Sequence, residues 1–178
     1  MITAVEFIHA EIARLHKMLD ASISGLTPEQ LHAVPAGNPT ANTIAWGIFH
    51  CVRTEDNVVR FVLQDRKKPV WTEGGYAERL GLPPVAQGTG MTAAEAQALR
   101  ISDVGLFQEY MAKAFASTEE LFQTAGPDFY EKVVTVKPLG DMPAYRVLGQ
   151  VVLTHCTAHV GQMELVRCLV GAKPAVGL

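Results

Sequence analysis

Cysteine, aromatic residues and surplus charge are all scarce in this chain of 178 residues, and each shortage closes off a class of function. The three cysteines, Cys51, Cys156 and Cys168, cannot all pair internally, and none stands in a Cys-x-x-Cys spacing. A disulfide framework and a thiolate zinc site are therefore not expected. With 15 basic and 18 acidic residues the formal charge is −3, so no basic field draws phosphate backbones or anionic membranes. No run of about 18 apolar residues is present. Glu6 and His9 fall where a signal peptide keeps a basic start and an unbroken apolar stretch, which makes the cytoplasm the expected compartment. Glycine (15) and proline (10) stand at ordinary levels and 48% of the residues are hydrophobic, which rules out disorder and collagen-like repeats. The length suits one domain over residues 1–178. What is present in unusual supply is histidine, with six residues to place.

Helix periodicity dominates the chain. From Thr3 to about Ser24, Val5, Ile8, Ile12, Leu15, Leu19 and Ile23 recur at spacings of three and four, which stacks them on one helix face. Thr27-Pro28-Glu29-Gln30 reads as a capped helical turn, ended by Ala36-Gly37-Asn38-Pro39. A second long helix is predicted from Asn42 or Thr43 to Leu63 or Gln64. Its apolar residues spread widely around the axis, so it should touch several neighbours. Asp65 to Gly90, rich in glycine and proline, reads as a long connection of the kind that is more often functional or a crossover than idle. Thr92-Ala93-Ala94-Glu95 opens a further helix, or two in succession, to about Thr124. Glu131 to Lys137 allows a short extended piece, and Asp141-Met142-Pro143 caps a last helix from Pro143 to about Val170. Four long helices without a convincing sheet predict an all-α four-helix bundle with a long crossover.

On the last helix, Leu148, Val152, His155, His159, Gln162, Val166 and Val170 fall on one stripe, which points His155 and His159 into the bundle. At i and i+4 their imidazoles are close enough to bind one metal ion. His50, inside the second long helix and four residues after Trp46, offers a third ligand from a facing helix. His9 and His16 lie at the edge of the first helix's apolar stripe and read as flank residues at the boundary with solvent; His32 has no evident partner. Cys51 and Cys156 follow histidines, but neighbouring helical residues diverge by about 100°, so both read as buried free thiols. Trp46, Trp71, Tyr76 and Tyr110 could line a pocket, although aromatic residues at such spacing more often belong to a core. Glu55 and Asp56 point away from His50 and are not assigned as bases.

The run Asn42-Thr43-Ile44-Ala45-Trp46-Gly47-Ile48-Phe49-His50, together with Thr154-His155-Cys156-Thr157-Ala158-His159-Val160-Gly161-Gln162, resembles the DinB/YfiT-like superfamily of metalloenzymes. The resemblance spans nearly the whole chain and implies a four-helix bundle with a long crossover. It also implies that His50, His155 and His159 are metal ligands. Members of known chemistry use low-molecular-weight thiols such as mycothiol, bacillithiol or glutathione in isomerisation or S-transfer. No DNA polymerase is implied, and the acidic metal cluster such an enzyme needs is missing.

Three neutral imidazoles leave a divalent ion its full charge and an open position, the hallmark of a catalytic site. Such a site can lower the pKa of a bound water towards about 7, as in a hydrolase, or hold a substrate thiol as thiolate, as in a transferase or isomerase. His155-Cys156-Thr157-Ala158-His159 lacks the glutamate that follows the first histidine of H-E-x-x-H proteases, so peptide hydrolysis is not expected. Gln162 could orient a ligand or merely pack. Imidazole suits zinc or nickel first, with iron and copper as further candidates. The expected partners are a small-molecule substrate and a second copy in a homodimer, without nucleic acid or membrane. The rival reading is a non-catalytic helical module that binds a metal or ligand for stability.

Overall fold

In the computed structural model, which describes residues 2–176, four long helices pack together as the periodicity predicts. The first, α1 (Ala4–Ile23), starts at the Thr3–Glu6 capping box and buries Ile12, Leu15, Leu19 and Ile23. The short α2 (Pro28–His32) has its own capping box between Thr27 and Gln30. Next, α3 (Ile44–Asp56) is capped by Thr43, whose hydroxyl accepts the Trp46 N–H at 3.1 Å, and every one of its residues is buried. Its wide apolar arc has the expected consequence, since it packs against α1 and both later long helices. The same helix continues as a π-helical turn over Asn57–Val62.

The connection that follows is ordered by three short helices, α4 (Val70–Glu73), α5 (Tyr76–Leu80) and α6 (Ala93–Ala98). Asp56 docks it to the bundle. Its carboxylate accepts the Val70 and Trp71 N–H groups at 2.8 and 2.9 Å and the Tyr110 hydroxyl at 3.1 Å. Burial raises the Asp56 pKa, and the hydrogen bonds and Arg53 pull against that rise. Trp71, Tyr76 and Tyr110 then pack with Phe49 in the core. These three aromatics are packing residues foremost, and all are wholly buried.

The stretch from Thr92 to Thr124 is two helices in succession, α6 and the long α7 (Val104–Thr124), which Asp103 caps. His32 has two partners after all. Its Nδ1 donates to the Pro28 carbonyl at 2.7 Å, and its Nε2 accepts the Ile101 N–H at 3.0 Å, fastening α2 to the break before α7. After α8 (Pro127–Glu131) comes a two-stranded antiparallel sheet, β1 (Val133–Val136) paired with β2 (Gly140–Pro143) in the register Val133 to Pro143. Residues 141–143, expected to cap a helix, thus form a strand, because β1 supplies the hydrogen bonds that their own sequence does not call for. The last helix begins one residue later as α9 (Ala144–Val147), passes through a π-helical stretch, Leu148–Thr154, and ends as α10 (His155–Leu169).

That π-helical stretch corrects the stripe expected on the last helix. A π turn holds about one residue more than an α turn, so the core-facing positions after Val152 move on by one. Cys156, Val160 and Met163 are buried, while His155 and His159 lie half-buried at the rim.

Candidate metal centre

His50, His155 and His159 meet where α3 crosses the start of α10. The Nε2 atom of His155 lies 3.1 Å from Nε2 of His50 and 3.1 Å from Nε2 of His159. The three rings are mutually perpendicular, at 88°, 88° and 89°, so the nitrogens converge rather than stack.

The outer nitrogens of His50 and His159 fix the tautomers of those two rings. The His50 Nδ1 lies 2.5 Å from the Gln87 carbonyl oxygen. A carbonyl only accepts, so Nδ1 carries the hydrogen and Nε2 presents its lone pair to the centre. On α10, His159 Nδ1 stands 2.7 Å from the Gln162 side-chain oxygen, which imposes the same arrangement. For His155 the Val151 backbone, one turn back in the π-helical stretch, pulls against the lowering of its pKa. Metal-bound histidines are held in this way, with the ligating nitrogen inward and the other bonded to an acceptor.

Lone pairs 3.1 Å apart repel unless a cation lies between them. Nitrogens bound at about 2.0–2.1 Å around a tetrahedral ion are roughly 3.3 Å apart, close to the spacing here. Charge on two of the rings is also suppressed. Burial pushes the His50 pKa down to about 4, opposed by its bond to Gln87 and reinforced by His159 and His155. Burial and then His159 lower that of His155. The residues therefore fit a divalent ion that needs neutral imidazole, and among the described residues they are the group of three able to hold one.

The support around the site was only partly legible. Trp46 stacks on His50, with ring centroids 4.8 Å apart, and sets its edge against His159. The i, i+4 spacing to His50 was the available signal. Gly88, at φ +90°, presses its backbone onto the same pair, and a Cβ there would lie 3.1 Å from His50 Cβ, His50 Nδ1 and Trp46 Nε1. Gln87 acts through its backbone, so its side-chain identity carried no signal. Gln162, whose role the sequence left open, is the residue that orients His159.

The remaining histidines and acids stand apart from the site. His16 is not at the solvent boundary. It is buried, stacked on Phe115, and its Nε2 lies 2.7 Å from Glu55 Oε1, which also accepts the Thr118 hydroxyl at 2.6 Å. The reason is that α7 covers the flank of α1, a contact that one helix's periodicity does not contain. His9 is half-exposed and pairs with Glu119 at 2.7 Å. Cys51 and Cys156 are buried free thiols. The neighbouring Cys51 thiol, with burial and Glu55, pushes the Cys156 pKa well up.

His155 lines a cleft of about 1210 Å³. A smaller one of about 290 Å³ is lined by Trp46, His159 and Gln162. No helix among the described residues is long and apolar enough to cross a membrane.

Comparison with known proteins agrees with this architecture. One solved structure, the crystal structure of the conserved protein of locus from Enterococcus faecalis, is similar over 96% of this chain and 98% of its own, with a TM-score of 0.80 and 19% identity. At that identity the likeness is one of fold. No curated protein matches the chain in sequence. The family model of the DinB superfamily matches residues 11–163, a span that includes all three converging histidines. The chain belongs to the DinB superfamily.

Proposed function

We propose that this protein binds one divalent metal ion through Nε2 of His50, His155 and His159, and is a metal-dependent enzyme acting on a small thiol or thiol adduct, as a transferase or isomerase. The observation that carries this reading is the convergence of three Nε2 atoms, two of whose rings have the outer nitrogen bonded to an acceptor. Zinc or nickel suits such a set best, followed by iron and copper.

A divalent ion held by three neutral ligands supplies full positive charge at an open position, which lowers the cost of deprotonating a thiol or a water there. The chain's own residues supply the rest. Gln87 and Gln162 hold His50 and His159 in the ligating tautomer. Trp46 and Gly88 fix the plane of His50 and keep water from its inner face. The larger cleft admits a substrate beside His155. Glu55 is buried in its own network with His16 and Thr118, so a substrate proton passes to solvent or to the leaving group rather than to a carboxylate of this chain.

The first test is metal analysis of purified protein beside a His155→Ala, His159→Ala double variant. Near-stoichiometric metal in the first and loss in the second is expected, and equal content in both would overturn the reading. A screen of thiols with electrophiles follows, in which metal-dependent turnover is expected. Turnover of a water-labile ester with no thiol requirement would replace the transferase by a hydrolase. An ion closed by a fourth protein ligand, read from its X-ray absorption spectrum, would make the site structural.

A further inference from the structure

The larger cleft has two unlike ends. One wall is a single face of α3 and its π continuation, where Thr54, Asn57, Val58, Phe61, Val62 and Asp65 recur at spacings of three and four. The facing wall comes from the β1–β2 hairpin. At the inner end are His155 and Thr54, whose hydroxyl lies 3.5 Å from His50 Nδ1. At the outer end are Arg66, just past the helix, and Lys137 in the hairpin turn. At 1.5 Å per residue the helix carries the chain at most roughly 18 Å from Thr54 to Arg66. The middle is apolar, and Phe61 remains 44% exposed there, while Leu139, in the same turn as Lys137, is 51% exposed beside the outer end.

The charge at the outer end runs against that of the whole chain. Asp65 is taken up by Lys132 at 2.8 Å. Among the described residues, neither Arg66 nor Lys137 has an acidic partner, so two positive charges at that end are unpaired; Asp141 of the hairpin accepts the Thr135 hydroxyl. The backbone adds a second observation. Asp65 and Arg66 both adopt left-handed conformations, at φ 50° and 66°, and the Arg66 N–H closes the helix on the Phe61 carbonyl at 3.0 Å. Helix ends of this kind ordinarily use glycine. Strained positions of this sort cluster at binding sites, and here the strain sets a guanidinium at the cleft's mouth.

We infer that the substrate of the three-histidine site is an elongated amphipathic carboxylate. Its reacting head lies at His155, its apolar middle lies along Val58, Phe61 and Val62, and its terminal carboxylate lies between Arg66 and Lys137. This rests on the reading of the histidine site as the reacting centre, but the carboxylate end stands on its own residues.

Calorimetric titration of the full chain tests both parts separately. On the zinc-loaded protein, ω-mercaptooctanoate should bind roughly three- to tenfold more tightly than ω-mercaptooctanol, the range that two partly exposed ion pairs provide. The preference should shrink with added salt and vanish in an Arg66→Gln, Lys137→Gln variant. Arg66→Gly combined with Lys137→Gln, which removes the same charge while relieving the backbone, should lose it as well. On the metal-free protein, octanoate should be preferred over octanol by a similar factor. Equal binding of the acid and alcohol partners, or a preference that survives both variants, overturns the inference. Failure of zinc to bind sinks the metal reading alone, because the octanoate comparison needs no ion.

Discussion

The metal-free protein should lose stability on mild acidification because His50 resists a proton where it sits. Burial holds its pKa at about 4, against 6.5 for an ordinary histidine, and the two neighbouring imidazoles add to the effect. The unfolded chain keeps the ordinary value. Between pH 6.5 and 4 the unfolded state therefore binds a proton that the native state refuses, and stability falls as pH falls through that window. At about 1.36 kcal/mol per pK unit, the whole window is worth about 3 kcal/mol, of which about 2 kcal/mol falls between pH 7 and pH 5. The assay is urea unfolding of chelator-treated protein at those two pH values, for the wild type and for His50→Asn. Asparagine keeps a donor for the Gln87 carbonyl and does not titrate. Carboxylates protonate in both proteins, so the difference between their losses isolates His50. The wild type should lose about 2 kcal/mol more than the variant. Parallel losses would refute the argument that a buried neutral imidazole faces the centre.

Two further substitutions separate the site from its scaffold. Gly88→Ala should cost about 1–3 kcal/mol of stability, since φ +90° strains a residue bearing a Cβ and the added carbon crowds His50 and Trp46. The same change should weaken zinc binding by about tenfold, as loss of an orienting contact does, measured by chelator competition; unchanged affinity would mean that the close approach does not position His50. Asp56→Ala should cost about 3–5 kcal/mol in urea unfolding, because it strands the Val70 and Trp71 N–H groups and a buried arginine and leaves the Tyr110 hydroxyl only its longer bond to the Val52 carbonyl. A loss under about 1 kcal/mol would show that the crossover docks without it.

Much of the fold was legible because it rests on local chemistry. The capping boxes at Thr27 and Thr92 start helices where their residues said they would, and α1 follows the apolar spacing that begins near Thr3. The wide apolar arc of α3 foretold a helix buried on all sides. The hairpin was half legible. Val133–Val136 has the residues of a strand, whereas Gly140-Asp141-Met142-Pro143 does not, and becomes one only by pairing with the first. The position of His16 was not legible either. Its burial and its bond to Glu55 depend on α3 and α7 closing over the edge of α1.

Composition by itself set which chemistries to expect least of this chain. Three scattered cysteines and no surplus positive charge made a thiolate zinc site and a nucleic-acid surface unexpected. His50, His155 and His159 stood out as a candidate set because i, i+4 spacing and a facing helix are properties of the chain. Tertiary structure decided how they present themselves. The π-helical stretch moved His155 and His159 from the core to its rim, where each borders a cleft. The crossover brought the Gln87 carbonyl to His50 and so fixed which nitrogen faces inward. Residue types and their spacing are local and can be read along the chain. Helix register, tautomer and access arise from contacts between distant segments and exist only once the chain has folded.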